Sequence, residues 1–260
     1  MNRRVAAMTF RRRLRSTLVT GVGLAVVAIL VCALFPSIGG SIGDLDLGKG
    51  VSALVGGGDF STLAGYLNAE VFSIYGPLVL IGSAITGVVS TTAGEEEDGS
   101  LALILALPLS RRTVMLSKAA AVAFAVATVA LIVWVGLVVG VVIAGGGVGA
   151  VDLAAAVIHM AALALLFGGL TFAVAAGAGE RTQALAIAGG AAVASYLVNG
   201  LAPLAEGISW AQKLSPFYYY SGSDPLTGGV DVGHLAVLLL TAAAFVSIGL
   251  VGLDRRDLRG

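Results

Sequence analysis

The residues able to do chemistry lie mostly outside the long apolar runs of this chain. The densest group is acidic: Glu95, Glu96, Glu97 and Asp98 precede Gly99 and Ser100, then comes an apolar stretch over 101–107, then Pro108, Leu109, Ser110, Arg111 and Arg112. Carboxylates here suit the positive N-terminal end of a helix starting near Ser100. Pro108 disfavours helical geometry at Leu107 and ends that helix, while Ser110 can cap the next one. The pattern predicts a rigid cytoplasmic helix over about 97–108, parallel to the membrane. A solvated acidic turn would not need the apolar stretch, which reads as a docking element for another protein.

Other candidates are sparser. Asp44, Asp46 and Asp59 share a Gly-rich segment with carboxylates but lack the ligand spacing of a calcium loop. His159, early in the fourth apolar run, is the candidate for a proton pathway, and a lone histidine near a helix end reads as a packing or hydrogen-bonding residue. A serine-hydrolase elbow is missing, since Ser83 sits in Ile-Gly-Ser-Ala-Ile and Ser223 in Ser-Gly-Ser-Asp-Pro, and H-E-x-x-H is missing too. No catalytic residue and no metal site are expected, and Cys32, the single cysteine, excludes an internal disulfide. The chain is not expected to be an enzyme by itself.

The elements that position these residues follow from composition. Of 260 residues, 58% are hydrophobic and 12% charged, with 37 glycines and zero net charge. Soluble domains carry about 25% charged residues, so soluble enzymes are excluded, and no basic excess points to nucleic acid. Six stretches lack Asp, Glu, Lys and Arg: residues 17–36, 71–93, 119–144, 153–178, 184–205 and 233–253. Each approaches or exceeds the roughly 20 residues needed to cross a bilayer. They run continuously rather than alternating as barrel strands do, so helices are expected. The fold class is therefore an all-α polytopic membrane protein, a single transmembrane domain over 1–260.

With the N-terminus in the cytoplasm, 13 Lys and Arg lie inside and 2, Lys49 and Lys213, outside. Acids split 7 to 8, as expected of a rule that follows Lys and Arg. Both termini are therefore cytoplasmic. Residues 1–16, with Arg3, Arg4, Arg11, Arg12, Arg13 and Arg15 around Val5 to Phe10, read as a separate interfacial helix that anchors the chain and helps dock a partner. The first apolar run is too long for the core of a signal peptide and reads as a retained span.

Two outer segments complete the layout. Residues 37–70 read as a solvated loop with a short interfacial helix over 61–69. Residues 206–232 concentrate Trp210, Phe217, Tyr218, Tyr219 and Tyr220, and read as an aromatic belt on a short re-entrant or interfacial element broken by Pro216 and Pro225, with a substrate gate as the alternative. The spans lack paired charges of the kind ion-coupled carriers use. Ser83, Thr86 and Ser90 on the second span and Ser195 and Asn199 on the fifth allow close packing or line a translocation path, with Phe217, Tyr218 and Tyr219 as gate candidates. Gly136 and Gly140 form a GxxxG pair on the third span.

These features resemble the membrane-spanning permease subunits of ABC-2-type ABC transporters. The local match is Glu97-Asp98-Gly99-Ser100-Leu101 through Leu105, then Pro108-Leu109-Ser110-Arg111, similar to the family's E-x-G-[TS]-L…L…P-x-S-R element; Leu214-Ser215-Pro216-Phe217-Tyr218-Tyr219 resembles an S-P-F-Y-Y segment before the last span. The resemblance implies that the inner element is a coupling helix seated in a separate ATP-binding subunit, which would carry ATP and Mg2+. It also implies a homodimer or a pairing with a similar permease, outward transport, and a prokaryotic-type plasma membrane. The lysines Lys49, Lys118 and Lys213 do not stand in a P-loop, so ATP hydrolysis is expected elsewhere. An ATP-independent carrier or a membrane scaffold is the alternative.

Overall fold

The computed structural model describes residues 1–42, 60–100, 108–205 and 207–255. The carboxylates Asp44, Asp46 and Asp59, and the apolar stretch 101–107 with Leu101 and Leu105, lie outside the described residues.

Six helical stretches are long and apolar enough to cross a membrane. The first is α1 (Arg3–Ile42). The second is built from α2 (Leu63–Leu67), a π-helical stretch (Asn68–Tyr75), α3 (Gly76–Thr91) and α4 (Ala93–Glu97). The third and fourth are α5 (Arg111–Ile143) and α6 (Ala150–Ala178). The fifth is α7 (Arg181–Leu201) with a 3₁₀ turn (Ala202–Leu204). After a 3₁₀ turn (Ser209–Leu214) come the short helices α8 (Pro216–Ser221) and α9 (Pro225–Gly228), then the last long helix, α10 (Val232–Asp254).

The central helix is α6, packed by α3, α5, α7 and α10. Its buried side chains, among them Leu153, Met160, Leu163, Phe167 and Phe172, occupy nearly every face, as expected of a helix that is apolar all round. Close approaches are bought with small residues. A Cβ on Gly169 would stand 2.7 Å from the Ala242 carbonyl oxygen. A Cβ on Gly136 would stand 2.6 Å from the Cβ of Ala25, and one on Gly140 2.9 Å from Cys32, so the GxxxG pair is the surface on which α5 receives α1. These two helices run parallel in a steady register: Val5 packs with Val114, Phe10 with Phe124, Gly21 with Ile132 and Ala25 with Gly136.

That seam corrects one expectation. Residues 1–16 are not a separate interfacial helix; they are the first turns of α1. Val5, Thr9 and Thr17 continue the buried stripe of Leu24, Ala28 and Cys32, so packing favours one straight helix, and nothing near residue 16 breaks it. Pro36 lies inside the helix rather than at its end. The short helix expected over 61–69 is likewise no surface element: Leu63, Tyr66 and Leu67 are buried, and the chain runs from α2 straight into the second span.

Candidate functional site

The acidic run stands just beyond the C-terminal end of α3. Thr91 and Thr92 turn their hydroxyls back onto the carbonyls of Gly87 and Val88, at 2.9 and 2.7 Å. The chain then re-enters helix at Ala93, which is fully buried. Glu95, Glu96 and Glu97 therefore lie within α4, and after the turn at Asp98 and Gly99 the chain is helical again at Ser100, where a helix start was expected. The amide of Asp98 donates to Gly94, and Gly99 ends the turn at φ +70, a conformation glycine adopts without strain. The Ser100 hydroxyl donates back to the Glu95 carbonyl at 3.4 Å.

The carboxylates diverge in what they hold. Glu95 turns inward, and its Oε2 accepts from Lys118 Nζ at 2.6 Å, while Oε1 lies 3.7 Å from Arg12 Nη1. The Lys118 side chain is fully buried; a buried ammonium is tolerated only when paired. Glu97 Oε1 accepts the backbone N–H of Arg181 at 3.0 Å, placing a negative charge on the positive end of α7. One short helix thus holds the third span and approaches the first through Glu95, and holds the fifth through Glu97. Beside it Arg13 donates to Ser90 Oγ at 2.6 Å and to the Gly87 carbonyl at 3.4 Å, tying α1 to α3. Asp98 is exposed, as are Pro108 and Arg111. Ser110 caps α5, accepting from the Thr113 amide at 3.2 Å. Arg112 pairs with Asp254, its Nε 2.7 Å from the carboxylate.

At the outer end, Pro216 and Pro225 do not break an element; each begins a helix, where the missing N–H costs nothing. Ser215 caps α8: its hydroxyl accepts from the Phe217 amide at 3.1 Å and donates to the Ser195 carbonyl on α7 at 2.7 Å. The expected aromatic belt is divided. Phe217 and Tyr220 are buried, whereas Trp210 is 62% exposed. The Tyr220 hydroxyl donates to the Phe72 carbonyl at 2.7 Å, and burial pushes its pKa well up. Tyr218 and Tyr219 pack on the His234 ring, at 5.6 and 5.4 Å. His159 is fully buried with Nδ1 2.9 Å from the Ala155 carbonyl and Nε2 3.3 Å from that of Asp231, which suits a packing and hydrogen-bonding residue.

A groove of about 270 Å3 does lie between α3 and α7, bounded by Ile81, Gly82, Gly189, Val193, Tyr196 and Phe217. Of the residues expected on a path, Phe217 lines it. Thr86 is exposed and donates to its own helix at Gly82, Ser83 is half-buried, and Ser90 is held by Arg13. On α7, Ser195 is half-buried and lends its carbonyl to Ser215, while the buried Oδ1 of Asn199 has no hydrogen-bond partner among the described residues. Lys118, Arg12 and Tyr220 were missing from the sequence-derived set. Lys118 read as a topological charge at the end of an apolar run, and only its spacing from the acidic run hinted at a partner.

No curated protein matches this chain. A family model described as ABC-2 family transporter protein matches residues 3–258, which takes in all six long helices, the acidic turn and the outer aromatic segment. The chain belongs to the ABC-2 transporter family and is a multi-pass membrane protein of that kind.

Proposed function

We propose that the chain is the permease subunit of an ATP-driven ABC exporter in a prokaryotic-type plasma membrane. In this reading it forms a translocation pathway with a second permease, identical or similar, and segment 97–108 docks on a separate ATP-binding subunit that carries ATP and Mg2+. The observation that carries the reading is the pair of divergent carboxylates: a push on the docked segment reaches α5 and α1 through Glu95 and α7 through Glu97. A rigid lever tied to three spans is what conversion of ATPase closure into alternating access requires. An apolar pathway, such as the groove against Phe217, suits hydrophobic or amphipathic cargo.

The first test is purification of the tagged chain in mild detergent, with mass spectrometry of what accompanies it. A Walker A protein is expected, and Leu101→Asp should release it. Glu97→Lys should leave that protein bound, because Glu97 is turned to α7, yet lower transport per ATP hydrolysed about tenfold, a helix-end charge reversal being worth on the order of 1–2 kcal/mol. Absence of any ATPase across several gentle detergents would favour an ATP-independent carrier or scaffold. Coupled transport at the normal ratio in Glu97→Lys would remove the lever.

A further inference from the structure

The register between α1 and α5 sets arginines deeper than their place in the sequence suggests. Phe10 packs edge-on against Phe124 with ring centroids 4.8 Å apart. Phe124 is five residues beyond Ala119, where the apolar run of α5 begins, and is 60% exposed on the helix surface. The contacts of Gly21 with Ile132 and of Ala25 with Gly136 share one offset, so Phe10 is level with Ala121, roughly 3 Å into that run at about 1.5 Å per residue. Arg11 and Arg12 come next along α1, so they leave the helix at the cytoplasmic edge of the hydrocarbon.

These arginines share one face. Arg4, Ala7, Met8, Arg11 and Arg12 line an open, shallow hollow on the exposed face of α1, and their i, i+3, i+4, i+7, i+8 spacing sets them on a single stripe. Val5 and Thr9, on the opposite stripe, are buried. Arg12 lies 3.7 Å from Glu95; among the described residues, Arg4 and Arg11 form no ion pair with a carboxylate of this chain. A guanidinium at this depth, unpaired by protein, extends along its stem toward the phosphate layer. Its planar fork matches phosphate oxygens in a bidentate way.

We propose that this hollow binds the headgroup of an anionic phospholipid of the cytoplasmic leaflet, with Arg4 and Arg11 on the phosphate and Met8 and Ala7 against the apolar part of the lipid. Charge complementarity and depth both favour a lipid over an acidic protein surface, which would have to enter the bilayer edge to reach Arg11. Arg12 lies between the hollow and Glu95, so the bound lipid stands one side chain from the acidic turn. The proposal does not depend on ATP-driven transport.

The test uses the full chain, equilibrated with mixed micelles of equal parts phosphatidylglycerol and phosphatidylcholine and examined by native mass spectrometry for retained lipid. Each arginine near an anionic surface contributes about a fivefold preference, so wild type should retain phosphatidylglycerol over phosphatidylcholine by about 25-fold. Arg4→Gln and Arg11→Gln should each lower the ratio about fivefold, and the double variant should approach parity. Arg4→Lys/Arg11→Lys, which keeps the charge, should retain most of the preference. Parity in wild type would overturn the proposal, as would an undiminished preference in the double Gln variant. So would a double variant that keeps its lipid preference but loses a copurifying ATPase, because the stripe would then be a protein-docking face.

Discussion

The two ends of the helix bundle are held by different physics. At the end that carries the acidic run, the inner end, the ties are ionic: Lys118 on Glu95, Arg12 near the same carboxylate, Glu97 on the start of α7, and Arg112 on Asp254. At the outer end they are neutral hydrogen bonds and ring contacts: Tyr220 on the Phe72 carbonyl, Trp134 on the Ala150 carbonyl at 2.9 Å, Ser215 on that of Ser195, and the ring cluster of Tyr196, Phe217 and Tyr220. The buried ammonium of Lys118 can be kept at the inner end because Glu95 gives it a specific partner. The difference teaches how each end fails: removing one partner of a buried ion pair leaves an uncompensated charge, whereas removing a hydroxyl from a neutral tie leaves one carbonyl unpaired.

The sharpest way to break the comparison is at Glu95. Glu95→Ala would leave the Lys118 ammonium buried and unpaired, and removing one member of a buried pair costs on the order of 3–5 kcal/mol. The thermal unfolding midpoint in detergent should fall steeply. The double variant Glu95→Gln/Lys118→Met removes both charges and should recover most of the loss, since replacing a whole buried pair by neutral groups is often close to neutral. If the single variant unfolds like wild type, the inner end is not held by charge. At the outer end the matching change is Tyr220→Phe. It strips the donor from the buried Phe72 carbonyl and leaves the ring in place, at a cost of about 1–3 kcal/mol. A larger loss there than for Glu95→Ala would reverse the contrast.

The six spans were legible because hydrocarbon imposes a length and a composition that no other environment demands. Their ends were legible only in part. The rule that reads Lys and Arg as loop markers placed Lys118 in a loop, but the ammonium is buried in α5 because a carboxylate 23 residues earlier folds back onto it. Such long-range pairing leaves no period in the sequence. The arginines of residues 1–16 misled for the same reason: charge suggested a surface helix, while Val5 and Thr9 at helical spacing carried the seam that joins these residues to α1. At the outer segment the signal was present and misread. Ser215 followed by Pro216 is a helix start, and a helix start puts Phe217 and Tyr220, three residues apart, on one inward face and Tyr218 and Tyr219 beside it. The acidic run was legible in part: Ser100, the expected helix start, is helical, whereas the contact of Glu97 with the start of α7, on a distant part of the chain, leaves no trace in the local pattern.

The smallest expected effect tests whether the outer end is free of charge effects as the comparison implies. Asp231 caps α10 with its Oδ1 accepting from the His234 amide at 2.9 Å, and that bond, opposed by partial desolvation and aided by the charge of His234, holds its carboxyl below the usual range. A carboxylate whose folded pKa is depressed contributes stability that is fully present above its unfolded pKa, about 3.9, and loses it as pH falls through the lower folded value. Asp231→Asn keeps an acceptor for the cap and removes the charge. The gap in unfolding midpoint between wild type and this variant should therefore be small and constant from neutral pH down to about pH 5. It should close as pH drops below about 4. A gap that widens on acidification would mean that the charge at Asp231 opposes the fold, whereas a gap as large as that of Glu95→Ala would mean that the outer end is held by charge as firmly as the inner one.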